Sequence, residues 1–319
     1  MKNKITVTGA NKLFFVFVIL FVLFQIILIF LSAIYGQDIF EKRIYEILLV
    51  NQYILILIPV LLYVIINKLD FKEVFRLNRL KIVPAVLIAF SSVFAYFAAS
   101  FINTLVVYLL QFIGNIPSQP IPAPQNLYEL AIGILVVAVS PAICEEALHR
   151  GIMLSAYEKR GTKKAIVITS IIFGFFHFDI TNLLGPIFLG MLIGYYVVRT
   201  NSIYAGMLAH FLNNAIAEVL QFFFRNEVSA GRNITVKLSE LGELAVWGAM
   251  GMLALYFLLK AFRRVTEDSS IIKPSLTGVK NDFASIFTHW PIISALAIYL
   301  LLLALSLLAM IIDKNNLLK

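Results

Sequence analysis

Apolar positions run along this chain in long blocks separated by short polar segments, without the strict alternation of a half-buried strand or the one-sided stripe of a surface helix. Bilayer hydrocarbon is about 30 Å thick and a helix rises about 1.5 Å per residue, so roughly 20 apolar residues cross it. On that scale the blocks predict spans at 13–35, 47–66, 82–113, 127–154, 165–178, 183–198, 202–224, 241–262 and 291–312. The fifth and sixth are short. The expected fold is therefore all-α, a polytopic membrane helix bundle of eight to nine transmembrane helices. The first block follows Lys2, Lys4 and Lys12, but it is too long for a cleaved signal segment and no small-residue cleavage site is evident, so a retained span is expected.

Composition excludes the alternative of a water-soluble fold. The chain is 61% hydrophobic and 14% charged, with a mean hydropathy of +0.90, which leaves such a fold nowhere to put its surface. With the N-terminus inside, the inside segments hold 19 of the 26 Lys and Arg residues and the outside segments hold 7. This asymmetry predicts a cytoplasmic N-terminus and, with nine spans, an outside C-terminus. The net charge of +8 is then explained by topology, so the lipid bilayer is an expected partner and nucleic acid is not. In segment 67–81, Lys68, Lys72, Arg76, Arg79 and Lys81 lie beside Phe71, Val74, Phe75 and Leu77, which predicts a short amphipathic helix on the inner leaflet. Pro117, Pro120, Pro122 and Pro124 predict an extended outside loop, and Arg225, Glu227, Arg232, Lys237 and Glu240 mark another at 225–240. No internal repeat or soluble domain is evident. The chain reads as one membrane domain, 1–319, with a core at 127–224 flanked by accessory helices in 1–126 and 225–319.

Ionisable groups inside a span cost roughly 2.5–3.5 kcal/mol each on insertion scales and are functional candidates by default. Here they cluster. Glu145, Glu146, His149 and Arg150 share one segment, His177 follows Phe173, and His210 precedes Asn214. Residues four apart share a helix face, so Glu146 can pair with Arg150, Phe173 can pack behind His177, and His210 and Asn214 can point inward together. Glu145 lies about 100° around the helix from Glu146, which gives the two carboxylates different neighbours. Counted from the inside ends, Glu145 lies about 14 Å deep, His177 about 20 Å and His210 about 12 Å. These depths predict one site nearer the cytoplasmic side. Water is expected to reach it through a cavity between the fourth, fifth and seventh helices, leaving Glu145 open to solvent.

The residue types suggest a chemistry. A carboxylate and an imidazole can hold a water and accept its proton, while a second His with an Asn offers donors to a developing oxyanion. Those parts suit attack of water on an amide, with Arg150 neutralising Glu146. Two alternatives stay open. Glu145, His177 and His210 could ligate a catalytic zinc, although no His-Glu-x-x-His segment is present. Alternatively, the polar groups could be helix–helix contacts in a non-catalytic protein that binds a peptide or lipid. Cys144, the sole cysteine, excludes an intramolecular disulfide, and beside two carboxylates it reads as a packed small residue. Tyr35, Tyr45, Tyr53, Trp247, His289 and Trp290 read as interfacial anchors, and Asp179 and Asn182 are second-rank site candidates.

Taken in order, Glu145-Glu146-x-x-x-Arg150, Phe173-x-x-x-His177 and His210-x-x-x-Asn214 resemble the motifs of the CAAX protease and bacteriocin-processing family. That family includes the type II CAAX prenyl endopeptidases and many bacterial proteins of the Abi type. The resemblance covers residues 127–224 and implies a glutamate-dependent intramembrane endopeptidase without a cofactor. It assigns water activation to Glu145 and His177, the oxyanion hole to His210 and Asn214, and a structural role to Glu146 and Arg150. The Lys-, Asn- and Ile-rich composition looks bacterial, which makes the plasma membrane the expected location. A membrane-associated peptide or protein is then expected as substrate in preference to a prenylated CAAX protein. Family members associated with bacteriocin immunity keep a non-catalytic role in view, and oligomeric state is not implied.

Overall fold

The computed structural model describes residues 4–36, 42–117, 121–224, 233–270, 272–275, 278 and 288–316. Pro120, Arg225, Glu227 and Arg232 of the two predicted outside loops lie outside them. The helices are α1 (Val7–Tyr35), α2 (Ile44–Ile66), α3 (Phe71–Val74), α4 (Ile82–Leu110), α5 (Leu127–Arg160), α6 (Thr162–Phe175), α7 (Leu184–Thr200), α8 (Ile203–Phe223), α9 (Leu238–Val265) and α10 (Trp290–Asn316). Of these, α1, α2, α4, α5, α9 and α10 are long and apolar enough to cross a membrane, and α7 is a shorter apolar helix. The only β feature among the described residues is an isolated bridge between Ile116 and Ile234. This is the polytopic helical membrane bundle that the apolar blocks predict.

The helix ends sort as an alternating path requires. At one end, every predicted inside segment is tied to another. Arg76 pairs with Glu158, Lys273 reaches the same carboxylate at 3.3 Å, Lys159 donates to the Ile5 carbonyl, and Arg199 donates to the Arg263 carbonyl. At the other end, Gln111 bonds the backbone of Val236, Asn115 bonds Asp313 and Asn103 bonds Asn182. Segment 67–81 differs from expectation. Its helix is only α3, and Val74, Phe75 and Arg76 are buried in the bundle end rather than laid on a leaflet. The reason is the buried Glu158, whose charge draws Arg76 inward, while Phe75 fills the space over Gly151. Lys68, Lys72, Arg79 and Lys81 remain exposed.

Two further elements depart from simple periodicity. The helix predicted at 165–178 ends at Phe175, where the chain turns back through Phe178 at φ 51°, so His177 stands in the turn. The helix α5 contains π-helical stretches at Ile134–Val139 and Ala147–Leu154, and α2 contains one at Val50–Leu57. The first α5 stretch and the α2 stretch each end two residues before a proline, Pro141 and Pro59. A proline has no N–H, so Pro141 deprives the Val137 carbonyl of its usual helical donor. Asn214 of α8 replaces it, donating from Nδ2 at 3.0 Å. Without such a partner the carbonyl would stand unsatisfied at membrane depth.

This contact gives a first prediction. Asn214→Leu should cost about 1–3 kcal/mol through the orphaned carbonyl, and much of that loss should vanish when Pro141→Ala restores the backbone donor. Thermal unfolding of the four proteins in one detergent checks it. Equal losses from Asn214→Leu in both backgrounds would contradict the coupling.

Candidate functional site

The centre of the bundle is built on the α-helical turn Ser140–Glu146, between the two π stretches of α5. Pairing with different neighbours follows from the angle between Glu145 and Glu146. Glu145 faces α2, where Gln52 Nε2 donates to its Oε1 at 2.7 Å. Its Oε2 is enclosed without a hydrogen-bond partner and lies 3.9 Å from His210 Nε2. Glu146 is wholly buried and its Oε1 meets both Arg150 Nη1 and His210 Nδ1 at 2.9 Å. Arg150, 2% exposed, also donates from Nη2 to the Gly190 carbonyl at 3.1 Å, so α5, α7 and α8 are tied through one guanidinium and one carboxylate.

His210 therefore stands between two carboxylates. The approach of α8 that puts it there depends on Gly206, one turn earlier. A Cβ at Gly206 would sit 2.7 Å from Glu146 Oε2, too close for the carboxylate to hold its place. Asn214, one turn later, uses one amide N–H on Val137 and accepts from Asn213 Nδ2 at 3.3 Å, leaving its second N–H free for another acceptor.

Phe173 joins the site from α6. Its ring centroid lies 5.1 Å from that of His177, 5.7 Å from His210 and 4.9 Å from His149, each edge-on, and Arg150 lies over it at 4.7 Å. With Phe176 stacked on it at 6.4 Å, the expected backing of His177 is thus one of five contacts made by the same ring. Nδ1 of His177 is buried, the Phe173 backbone lies beside the ring, and its electrostatic neighbours are Glu145, His210 and Asp179. His149 is fully buried among Phe14, Phe173 and Phe176 with neither ring nitrogen bonded.

The structure corrects the expected open cavity. Glu145 and His210 are each only 6% exposed, because Gln52 and His210 close over the carboxylate from α2 and α8. A cavity of about 840 Å³ opens instead at the end tied by Arg76 and Glu158, lined by those residues together with Lys72 and Lys273. His289 is likewise no simple interfacial side chain. Its Nδ1 lies 3.0 Å from Asn11 Nδ2, and Asn11 Oδ1 accepts from Tyr157 at 2.8 Å, linking α1, α5 and the start of α10. Asp179 accepts from the Thr181 backbone and hydroxyl in the turn after α6, while Asn182 accepts from Asn103 of α4. Cys144 is a free, buried thiol.

The Nδ1 bond of His210 to Glu146 leaves its Nε2 open, as a carboxylate behind a ligating imidazole also would, and among the described residues no group of three His, Cys, Asp or Glu side chains is placed to hold a metal. Gln52, Gly190 and Gly206 complete the site without having been singled out by the motifs. Of these only Gln52 left a sequence signal, as one of two adjacent amides, Asn51 and Gln52, in an otherwise apolar block.

The fold and its centre define a class: a polytopic helical membrane protein with two carboxylates, an arginine and three imidazoles packed around one phenylalanine. Residues 127–216 match the family model described as type II CAAX prenyl endopeptidase Rce1-like, which bears out the resemblance read from the motifs. A curated relative in Bacillus subtilis (strain 168), named "Putative membrane peptidase YdiL", is 33% identical over 89 residues. That alignment takes in 28% of this chain and 36% of the relative, so the chain spans about a third of the length of the curated protein it matches. No solved structure matches.

Proposed function

We propose that this integral membrane protein is an intramembrane endopeptidase that hydrolyses a peptide bond of a membrane-associated peptide or protein. The observation that carries the reading is the division of labour within Glu145. Gln52 fixes its Oε1, while Oε2 is unbonded and turned toward His210. A carboxylate anchored by one oxygen and free at the other is suited to take a proton from water.

In this mechanism Glu145 and His177 hold the water. Its oxygen attacks the scissile carbonyl carbon, its proton passes to Glu145, and the carbonyl oxygen becomes an oxyanion. His210, held through Nδ1 by Glu146, directs Nε2–H to that oxygen, and the second N–H of Asn214 joins it. Glu145 then returns the proton to the leaving nitrogen as the C–N bond breaks, giving a carboxylic acid and an amine. Charge balance favours this arrangement. Two buried carboxylates share one guanidinium, and the His210 ring lies between them, 2.9 Å from Glu146 and 3.9 Å from Glu145, with its N–H groups to meet the negative charge. Arg150 and Glu146 act as positioning residues, and Phe173 sets the planes of the histidines around it.

The site lies within the bundle, and we place the N-terminus in the cytoplasm of a bacterial cell, with the catalytic groups nearer that side. No feature of the mechanism requires a prenyl group on the substrate. The test uses purified full-length protein in detergent, a degenerate peptide library read by mass spectrometry, and zinc measured on the same sample. Cleavage that persists after chelation in protein with substoichiometric zinc is expected. Cleavage that disappears on chelation and returns with zinc would replace this mechanism by a metal-dependent one.

A further inference from the structure

Glu218 continues the stripe that begins with His210 and Asn214, each four residues apart on α8, so helix geometry turns all three toward α5. Its side chain is only 2% exposed, and Oε2 is enclosed without a hydrogen-bond partner. Gly133 of α5 makes room for it. A Cβ there would lie 2.6 Å from Glu218 Oε2 and 3.6 Å from the hydroxyl of Tyr45 on α2. Among the described residues no Lys, Arg or His forms an ion pair with Glu218.

An ionised carboxyl enclosed without a counter-charge is costly, and neither helix packing nor the hydrolytic groups make use of this one. Glu146 shows the contrast. Where this chain buries a carboxylate for its own architecture, Arg150 and His210 meet it directly. The partner of Glu218 is then to be sought outside the chain. Eight residues of helix separate it from His210 by about 12 Å. An extended peptide advances about 3.3 Å per residue, so a strand with its scissile carbonyl at His210 and running along α8 passes Glu218 roughly three to four residues away.

We propose that Glu218 is a specificity-determining subsite that receives a cationic Lys or Arg side chain of the substrate, three or four residues from the scissile bond, with the Tyr45 hydroxyl as a second acceptor. This rests on the endopeptidase reading above. A site built to pair with a buried polar group rejects the analogue that lacks it far more strongly than an apolar pocket rejects a missing methylene. An otherwise apolar, membrane-associated peptide would therefore be selected by one basic residue.

The test reads binding without turnover. Full-length protein carrying Glu145→Gln is immobilised in detergent and exposed to decapeptides in which Lys, Arg, norleucine and Glu vary at each position of an apolar background. Retained peptides are then sequenced by mass spectrometry. Lys and Arg should be enriched over norleucine by about 30-fold or more at one position. Adding Glu218→Gln should bring that ratio near one, and Glu218→Lys should turn the preference to Glu. Should Glu218→Gln lose its monodisperse elution, Glu218→Asp serves instead, with the same preference in weakened form. Enrichment unchanged by Glu218→Gln, or absent from the parent protein, overturns the subsite. The two readings fail separately. Cleavage without a basic preference removes only the subsite, whereas Glu218-dependent retention of basic peptides by a protein that never cleaves removes only the peptidase.

Discussion

Glu145→Gln is expected to lower kcat by about 10²–10⁴-fold while leaving the folded protein intact. The substitution keeps a carbonyl oxygen for Gln52 Nε2 to bond, so the anchor between α2 and α5 survives. What it removes is the capacity of the second oxygen to take and return a proton. Thermal unfolding should therefore barely move while peptide cleavage collapses. A variant that kept a tenth or more of wild-type turnover would remove Glu145 from the proton transfer, and with it the proposed mechanism.

Arg150→Met should have the largest effect on stability, about 3–5 kcal/mol, because it strips a wholly buried carboxylate of its guanidinium and leaves it the His210 imidazole. The Gly190 carbonyl loses its side-chain donor in the same step, loosening α7 from α5. Neutralising the partner as well should restore part of the loss, so the double variant Glu146→Gln, Arg150→Met should unfold at a higher temperature than Arg150→Met alone. Lys at position 150 should not substitute, since a point charge cannot reproduce the fork that reaches Glu146 and Gly190 together. An Arg150→Met protein that unfolded at the wild-type temperature would show that the pair holds nothing together.

These two residues also mark how far the amino-acid pattern reaches. The spacing of Glu146 and Arg150 on one helix face announced their pairing, because four residues make about one turn whatever the surroundings. Apolar blocks announced the bundle for a similarly local reason, since span length is set by the bilayer. Gln52 is a different matter. It reaches Glu145 from 93 positions away, and which face of α2 meets which face of α5 depends on packing that no periodicity encodes. The Asn214 contact with Val137 was hidden behind a local defect, the missing N–H of Pro141 and the π stretch beside it. His177 stands in a turn because the chain reverses after Phe175, a backbone event at Phe178 without glycine to signal it. The enclosure of Glu145 likewise follows from long-range packing by Gln52 and His210, where depth counting suggested an open path.

The most direct test of the central claim, that Glu145 and His177 act on one water, is a double-mutant cycle in kcat/KM with Glu145→Gln and His177→Gln. Groups that share one step are not independent, so the double variant should be little slower than the slower single variant. Multiplication of the two losses would mean that the residues act in separate steps, and would contradict the shared water on which the proposed mechanism stands.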